Sequence, residues 1–263
     1  ARLPHDMAIT QHYSILMDLP VCVDMEALKR GRWRSVYKPE LGSRFAIIPR
    51  HGTEQDIRWF EASSCYIYHV INAWEEGEDL VMVAHKVPSP VANHDDGSST
   101  EFERMLQNLQ MDAQLWEWRF NLGTGKTTER CLDRVNAEFP STNAREQGYP
   151  TRYGYAVTIG PAPTLHFDGI RKYDFLTEEH QEVRFGEGIY GSESPFAPST
   201  HAVHEDDGYL LSFVQDENNE RSELWIYDAR DLEGGPCTRL EVPVRVPLGF
   251  HACWVEGKDL KPA

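Results

Sequence analysis

Tyr209-Leu210-Leu211-Ser212-Phe213-Val214-Gln215 runs into Asp216-Glu217-Asn218-Asn219-Glu220, and Glu223-Leu224-Trp225-Ile226-Tyr227-Asp228 follows shortly after. Two runs rich in β-branched and aromatic residues, which fit a pleated and half-buried surface, flank a polar turn. That is the pattern of a β-hairpin. It recurs along the chain. Segments 66–73 and 80–86 flank Glu75-Glu76-Gly77-Glu78-Asp79, and 115–121 and 126–130 flank Leu122-Gly123-Thr124-Gly125. Further strands are expected at 13–19, at 43–50 (ended by Pro49), at 57–61, 153–159, 169–174, 182–185 and 238–242, and at 250–255. Residues 28–37 read as a basic loop, 88–100 as the clearest loop, and 101–108 as a brief helix. A dozen or more short strands with almost no helix make an all-β chain: a sandwich, a barrel or a propeller. No repeat of fixed period selects among these.

The totals narrow the partners. The 263 residues suffice for one large β domain or two small ones. With 42 acidic and 26 basic residues the formal net charge is -16. A nucleic-acid partner would want a basic face, and docking by charge on anionic lipid would want the same. The excess suits a soluble chain kept apart by self-repulsion. The five cysteines show no C-x-x-C spacing and read as free thiols in a reducing, cytoplasmic compartment. No apolar run approaches the roughly 18 residues of a transmembrane helix, and no signal-peptide pattern opens the chain.

Three histidines stand in distinctive settings. His251 lies in Pro247-Leu248-Gly249-Phe250-His251-Ala252-Cys253-Trp254. His5 opens His5-Asp6-Met7-Ala8-Ile9-Thr10, and His69 lies in Tyr68-His69-Val70-Ile71-Asn72-Ala73-Trp74-Glu75-Glu76. Each borders a β-type segment, and they lie far apart in sequence. A closed β-architecture can bring such ligands to one axis, and imidazole suits first-row metals, iron among them. The bland alternative for any one of them is a packed, hydrogen-bonded ring. The other histidines (12, 51, 85, 94, 166, 180, 201 and 204) sit in polar or turn sequence. His5 also stands very near the first residue, Ala1, where a ligand would lack support; the chain is therefore expected to be one piece of a longer protein. Nucleophile-elbow, P-loop and dinucleotide fingerprints are missing from the sequence; Gly123-Thr124-Gly125-Lys126-Thr127 lacks the first P-loop glycine.

Four motifs, taken in order, carry a resemblance. They are His-Asp-x-Ala-Ile-Thr from His5, His-x-x-Asn-Ala-x-Glu-Glu from His69, Glu-Asp-Asp-Gly-Tyr-Leu-Leu-Ser from Glu205, and Val-Pro-x-Gly-Phe-His ending at His251. With them the chain resembles the C-terminal part of a carotenoid cleavage oxygenase, a family that also holds the lignostilbene dioxygenases and the retinal pigment epithelium isomerase. The resemblance implies a seven-bladed β-propeller with its metal on the propeller axis. Residues 1–263 would form a single domain portion of roughly four blades, without the N-terminal portion. It implies iron(II) held by His5, His69 and His251, with a fourth histidine supplied by the missing N-terminal portion. Glu138, in Ala137-Glu138-Phe139-Pro140, would stand behind His69, and Glu193, in Tyr190-Gly191-Ser192-Glu193-Ser194-Pro195-Phe196, behind His251. Phe60, Tyr68, Trp74, Phe196, Phe250 and Trp254 are candidates for the walls of an apolar tunnel, with core packing as their alternative role. Glu75, Glu76 and Glu205-Asp206-Asp207 read as turn residues.

The implied activity is cleavage by dioxygen of a C=C bond in an apolar conjugated substrate, giving two carbonyl products. An apocarotenoid or carotenoid is the first substrate expectation and a stilbene (lignostilbene or resveratrol type) the second; isomerase chemistry is a lesser alternative. From a different class, a non-enzymatic propeller that binds partners would show the same strands, with its histidines packed in the core. Peripheral membrane contact remains compatible with all of these.

Overall fold

The computed structural model describes residues 2–90, 100, 110–162 and 164–260. The helix expected at 101–108 and most of the loop expected at 88–100 lie outside the described residues. Within them the chain is all-β, and α1 (Met25–Lys29) is its one α-helix.

Four antiparallel sheets follow one another along the sequence. The first contains β1 (Met7–Ile9), β2 (Tyr13–Asp18), β5 (Ser43–Pro49) and β6 (Arg58–Ala62), paired in that order. Between β2 and β5 the chain leaves the sheet through a small ribbon, β3 (Val21–Val23) with β4 (Ser35–Tyr37), and α1 joins these two strands. The second sheet runs β7 (Tyr66–Glu76), β8 (Asp79–Val87), β9 (Gln114–Asn121), β10 (Thr127–Asp133). The third runs β11 (Ala137–Ser141), β12 (Tyr153–Ile159), β13 (Phe167–Asp174), β14 (His180–Arg184). The fourth pairs β15 (Ile189–Tyr190), β17 (Gly208–Asp216), β18 (Arg221–Asp228) and β19 (Pro236–Val242), with β16 (Phe196–Pro198) also on β17.

The hairpin that opened the sequence analysis is present. β17 and β18 pair from Tyr209 with Asp228 to Asp216 with Arg221. The turn of β7–β8 is tighter than expected: Glu76 already pairs with Asp79, so only Gly77 and Glu78 turn the chain. Gly77 has φ +64°, the left-handed conformation that a two-residue hairpin needs and glycine adopts without strain.

Two expectations are corrected. Residues 28–37 are not one loop. They hold the end of α1, whose N-cap Asp24 accepts hydrogen bonds from the amides of Glu26 and Ala27, and then β4. Residues 250–255 form no strand, although their letters favour one. They follow Pro247 and Gly249 and enter no strand ladder; Phe250, Trp254 and Val255 are exposed. Strand propensity reports fit to a sheet and does not create one.

The described chain divides into two compact units, Ala1–Glu138 with 147–150 and 161–165, and 139–146 with 151–160 and 166–263. The first unit packs its two sheets over one core. Phe45 and Phe60 of β5 and β6 meet Trp118 and Phe120 of β9, with Phe45–Phe120 centroids 4.9 Å apart and Phe60–Phe120 5.6 Å in an edge contact. Full burial of each such ring stabilises by about 2 kcal/mol. The second unit has its own core, in which Tyr155 stacks on Phe196 and Phe185 meets Trp225 edge-on. There Lys172 and Asp206, both nearly buried, pair at 2.6 Å, and Glu205 accepts from the amides of Arg152 and Tyr153, fixing the start of β12.

Candidate metal centre

His69 is aimed by a fault in its own ladder. In the β7–β8 pairing Ile67 faces Lys86 and Val70 faces Ala84, so Tyr68 and His69 together oppose the single residue His85. A second slip between Val70 and Asn72 adds another residue, and β7 thereby spans 11 residues against the 9 of β8. Such bulges bend a strand and redirect a side chain. Here the His69 ring reaches Glu138, at the start of β11. Its Nδ1 lies 2.6 Å from Oε2 of that carboxylate, whose side chain is fully buried. A carboxylate on Nδ1 holds the ring in the tautomer that presents Nε2 to a metal.

His5, just ahead of β1, stands beside it. The two rings meet edge to face, centroids 5.2 Å apart at 79°, and His5 makes a similar contact with Tyr68 at 5.3 Å. Burial first, and the charge of Glu138 second, push the Tyr68 phenol above its ordinary range, so it stays protonated at neutral pH. His85, expected in polar or turn sequence, is instead fully buried in β8. Burial pushes its pKa down to about 4; Glu138 pulls it up, His69 lowers it further and Asp133 opposes that. The ring is therefore neutral. The signal was present, since His85 lies inside the apolar run 80–86.

The second unit carries its own histidine and carboxylate. Glu193 lies 3.4 Å from Nδ1 of His251 through Oε2, and the same oxygen accepts from the Ala252 amide at 2.5 Å. The His251 side chain is 60% exposed. Phe139 packs beside it, 5.4 Å between centroids, and stacks on Phe250 at 6.0 Å and 12°. Phe139 has φ +51°, a left-handed backbone that a bulky residue rarely adopts. That turn interrupts strand alternation, so that Ala137, Glu138 and Phe139 are buried in succession. Neither the turn nor the packing of Phe139 was legible in the letters.

The aromatic candidates separate. Phe60 and Phe196 belong to the two cores and Trp74 is buried. Tyr68 lies by His5 and Phe250 by Phe139, while Phe250 and Trp254 keep exposed surface. Glu75 and Glu76 are strand residues of β7 rather than turn residues, and Glu75 accepts from Thr10 Oγ1 and the His12 amide, pinning the β1–β2 turn to β7.

Among the described residues, no three His, Cys, Asp or Glu side chains are gathered as a metal-holding group. The first unit supplies a pair of imidazoles, one oriented by a buried carboxylate. As a donor set this suits a divalent first-row metal such as iron(II), and the residues fit the group that the motifs imply.

The chain is similar to known oxygenases. A carotenoid 9,10(9',10')-cleavage dioxygenase of Crocus sativus is 34% identical over 98% of this chain and 49% of its own length. An isoeugenol monooxygenase of Pseudomonas putida is 30% identical over 95% of this chain and 54% of its own. The chain thus spans about half the length of the curated relatives it matches. Among solved structures, the lignostilbene dioxygenase of Pseudomonas brassicacearum superposes with TM-score 0.84 at 26% identity, covering 98% of this chain and 56% of that one. A cobalt-substituted apocarotenoid oxygenase of Synechocystis gives TM-score 0.84 at 25% identity, covering 97% and 53%. The fold is that of these oxygenase structures. A family model described as retinal pigment epithelial membrane protein matches residues 1–256, and the chain belongs to that family.

Proposed function

We propose that the intact protein is a non-haem iron(II) dioxygenase that cleaves a C=C bond of an apocarotenoid or carotenoid into two carbonyl products. The observation that carries the reading is the His69–Glu138 pair beside His5. His5 and His69 would hold the metal, and the motif around His251 adds it as a third ligand, with a fourth histidine from the remainder of the protein. The four sheets are read as four blades of a seven-bladed propeller, within one domain portion spanning the chain. The relative solved with cobalt in place of its own metal supports a metal site in this fold.

When bound, iron(II) supplies the redox chemistry that lets dioxygen react with an alkene. The chain does the rest. Neutral imidazoles bind the metal without adding charge. Glu138 accepts the Nδ1 proton of His69 and fixes the ring; Glu193, 3.4 Å from Nδ1 of His251, would do the same for that ring on metal binding. Tyr68 keeps its phenol protonated beside His5. Tyr68 is half-buried and Phe250 and Trp254 are exposed, so each remains a candidate for contact with an apolar substrate, whereas Phe60, Trp74 and Phe196 are taken up by packing.

A stilbene-type substrate is the second reading, favoured by the likeness to the lignostilbene dioxygenase and the isoeugenol monooxygenase. Incubating the intact protein with an apocarotenal and, separately, with a lignostilbene under oxygen, and identifying aldehydes by mass spectrometry, separates the two. Aldehydes from the polyene alone support the first reading, and from the stilbene alone the second. None from either substrate, in protein that holds iron, contradicts both.

Five free thiols support a reducing, cytoplasmic setting. Among the described residues no helix is long and apolar enough to cross a membrane. Peripheral contact with a membrane is the further reading of α1 and its surroundings, where Met25, Leu28, Trp33 and Leu41 are exposed among Lys29, Arg30, Arg32 and Arg34.

A further inference from the structure

β7, which carries His69 and its bulge, is the edge strand of its sheet. Amides of an edge strand that face away from the ladder have no partner in it, and a backbone N–H withdrawn from water needs an acceptor. For Val70, the residue after His69, that acceptor is Asp6: its Oδ2 takes the Val70 amide at 2.8 Å. The other oxygen, Oδ1, takes the Met7 amide at 2.7 Å. Asp6 itself follows His5. One carboxylate therefore spans the two backbones that carry the paired imidazoles, whose rings stand 5.2 Å apart.

The strand ladder does not provide this tie. The pairing of β1 with β2 begins at Met7 with Leu16, two residues beyond His5. Upstream, Leu3 is held by its amide on Val21 O and its carbonyl under the Tyr66 hydroxyl, which leaves residues 4–6 to be fixed by other means. A charged acceptor on backbone amides makes bonds roughly twice as strong as a neutral one. Asp6 is thus placed to set the direction of the chain at His5 and the shape of the bulge at His69 together.

We infer that Asp6 is a positioning residue of the metal centre, fixing His5 and His69 relative to each other through the Met7 and Val70 amides. The inference rests on the reading of those histidines as metal ligands. It separates two carboxylate duties: Glu138 orients a ring, and Asp6 orients backbones.

The test is cobalt(II) titration of the metal-free intact protein, reading both the dissociation constant and the visible ligand-field spectrum, for wild type, Asp6→Ala, Asp6→Asn and His69→Ala. Asp6→Ala is expected to weaken cobalt binding by about 10- to 100-fold, the usual cost of losing an outer-shell partner, and to change the spectrum. Asp6→Asn retains one acceptor oxygen and should fall between wild type and Asp6→Ala. Wild-type affinity and spectrum in a folded Asp6→Ala, with binding lost in His69→Ala, would overturn the inference and leave the metal reading standing. Absence of cobalt binding in the wild type would overturn the metal reading and this inference with it. Should Asp6→Ala fail to fold, Asp6→Asn decides: weakened binding with an altered spectrum supports the role, and an unchanged constant and spectrum overturn it.

Discussion

Glu138 is fully buried with its Oε2 against the Nδ1 of His69, and a buried charge is tolerated only where partners offset its desolvation. Its value therefore lies in the pairing. Replacing it with Gln keeps the shape and removes the charge that holds the imidazole in one tautomer. Glu138→Gln should bind iron(II) about 10- to 100-fold more weakly than wild type, measured by competition with a chelator; affinity within twofold of wild type would mean that the carboxylate does not orient the ring. At this scale the sequence singled out residues that sit in motifs, His5, His69, His251, Glu138 and Glu193, as candidates. It did not yield Asp6 or Phe139. The reason is physical. The role of Asp6 depends on an amide 64 residues away, and that of Phe139 on a backbone angle, and neither is written in adjacent letters. The burial of His85, by contrast, was signalled by the apolar run 80–86 around it.

Elements carry the electrostatic ties between strands. Glu129 of β10 accepts from Lys86 of β8 at 2.8 Å and from both the amide and the hydroxyl of Ser63. Burial pushes its carboxyl up, but the bonds from Lys86 and Ser63 outweigh burial and hold it below the ordinary value of 4.5. A carboxyl depressed in the folded state contributes stability that is present above its unfolded value and is lost as pH falls through its folded one. Glu129→Gln should be less stable than wild type near pH 7, and the gap in denaturant unfolding should close as pH drops below about 4.5. A gap that stays constant down to acid pH would show that the charge is not what stabilises. The β3–α1–β4 excursion makes a second prediction. Vesicles rich in anionic lipid should bind the intact protein in sedimentation, and Trp33→Ala together with Arg30→Glu and Arg32→Glu should abolish that binding; equal binding by wild type and variant would remove this segment from any membrane contact. The excursion was only half legible. Its basic letters were plain and residues 28–37 read as loop, while the Asp24 cap that turns 25–29 into a helix lies ahead of that segment and was not picked out.

For the whole molecule, the paired apolar runs foretold the hairpins well, because alternation and turn chemistry are local properties. The run at 250–255 failed because a strand also needs a neighbour, which local letters do not supply. The net charge of -16 argued against lipid docking, yet an average over 263 residues conceals a basic, apolar surface at one excursion. Family membership came from four motifs in order, each weak alone, and the match over residues 1–256 agrees with it. The central claim is that histidines carried by separate strands and segments of this chain hold one iron. The measurement that tests it most directly is the iron content of the intact protein, purified without oxygen, beside a His251→Ala variant. Close to one iron per chain is expected in the wild type, and its loss in the variant. An iron-free wild type, even after iron(II) is supplied, or a variant that keeps its iron in full, would contradict it.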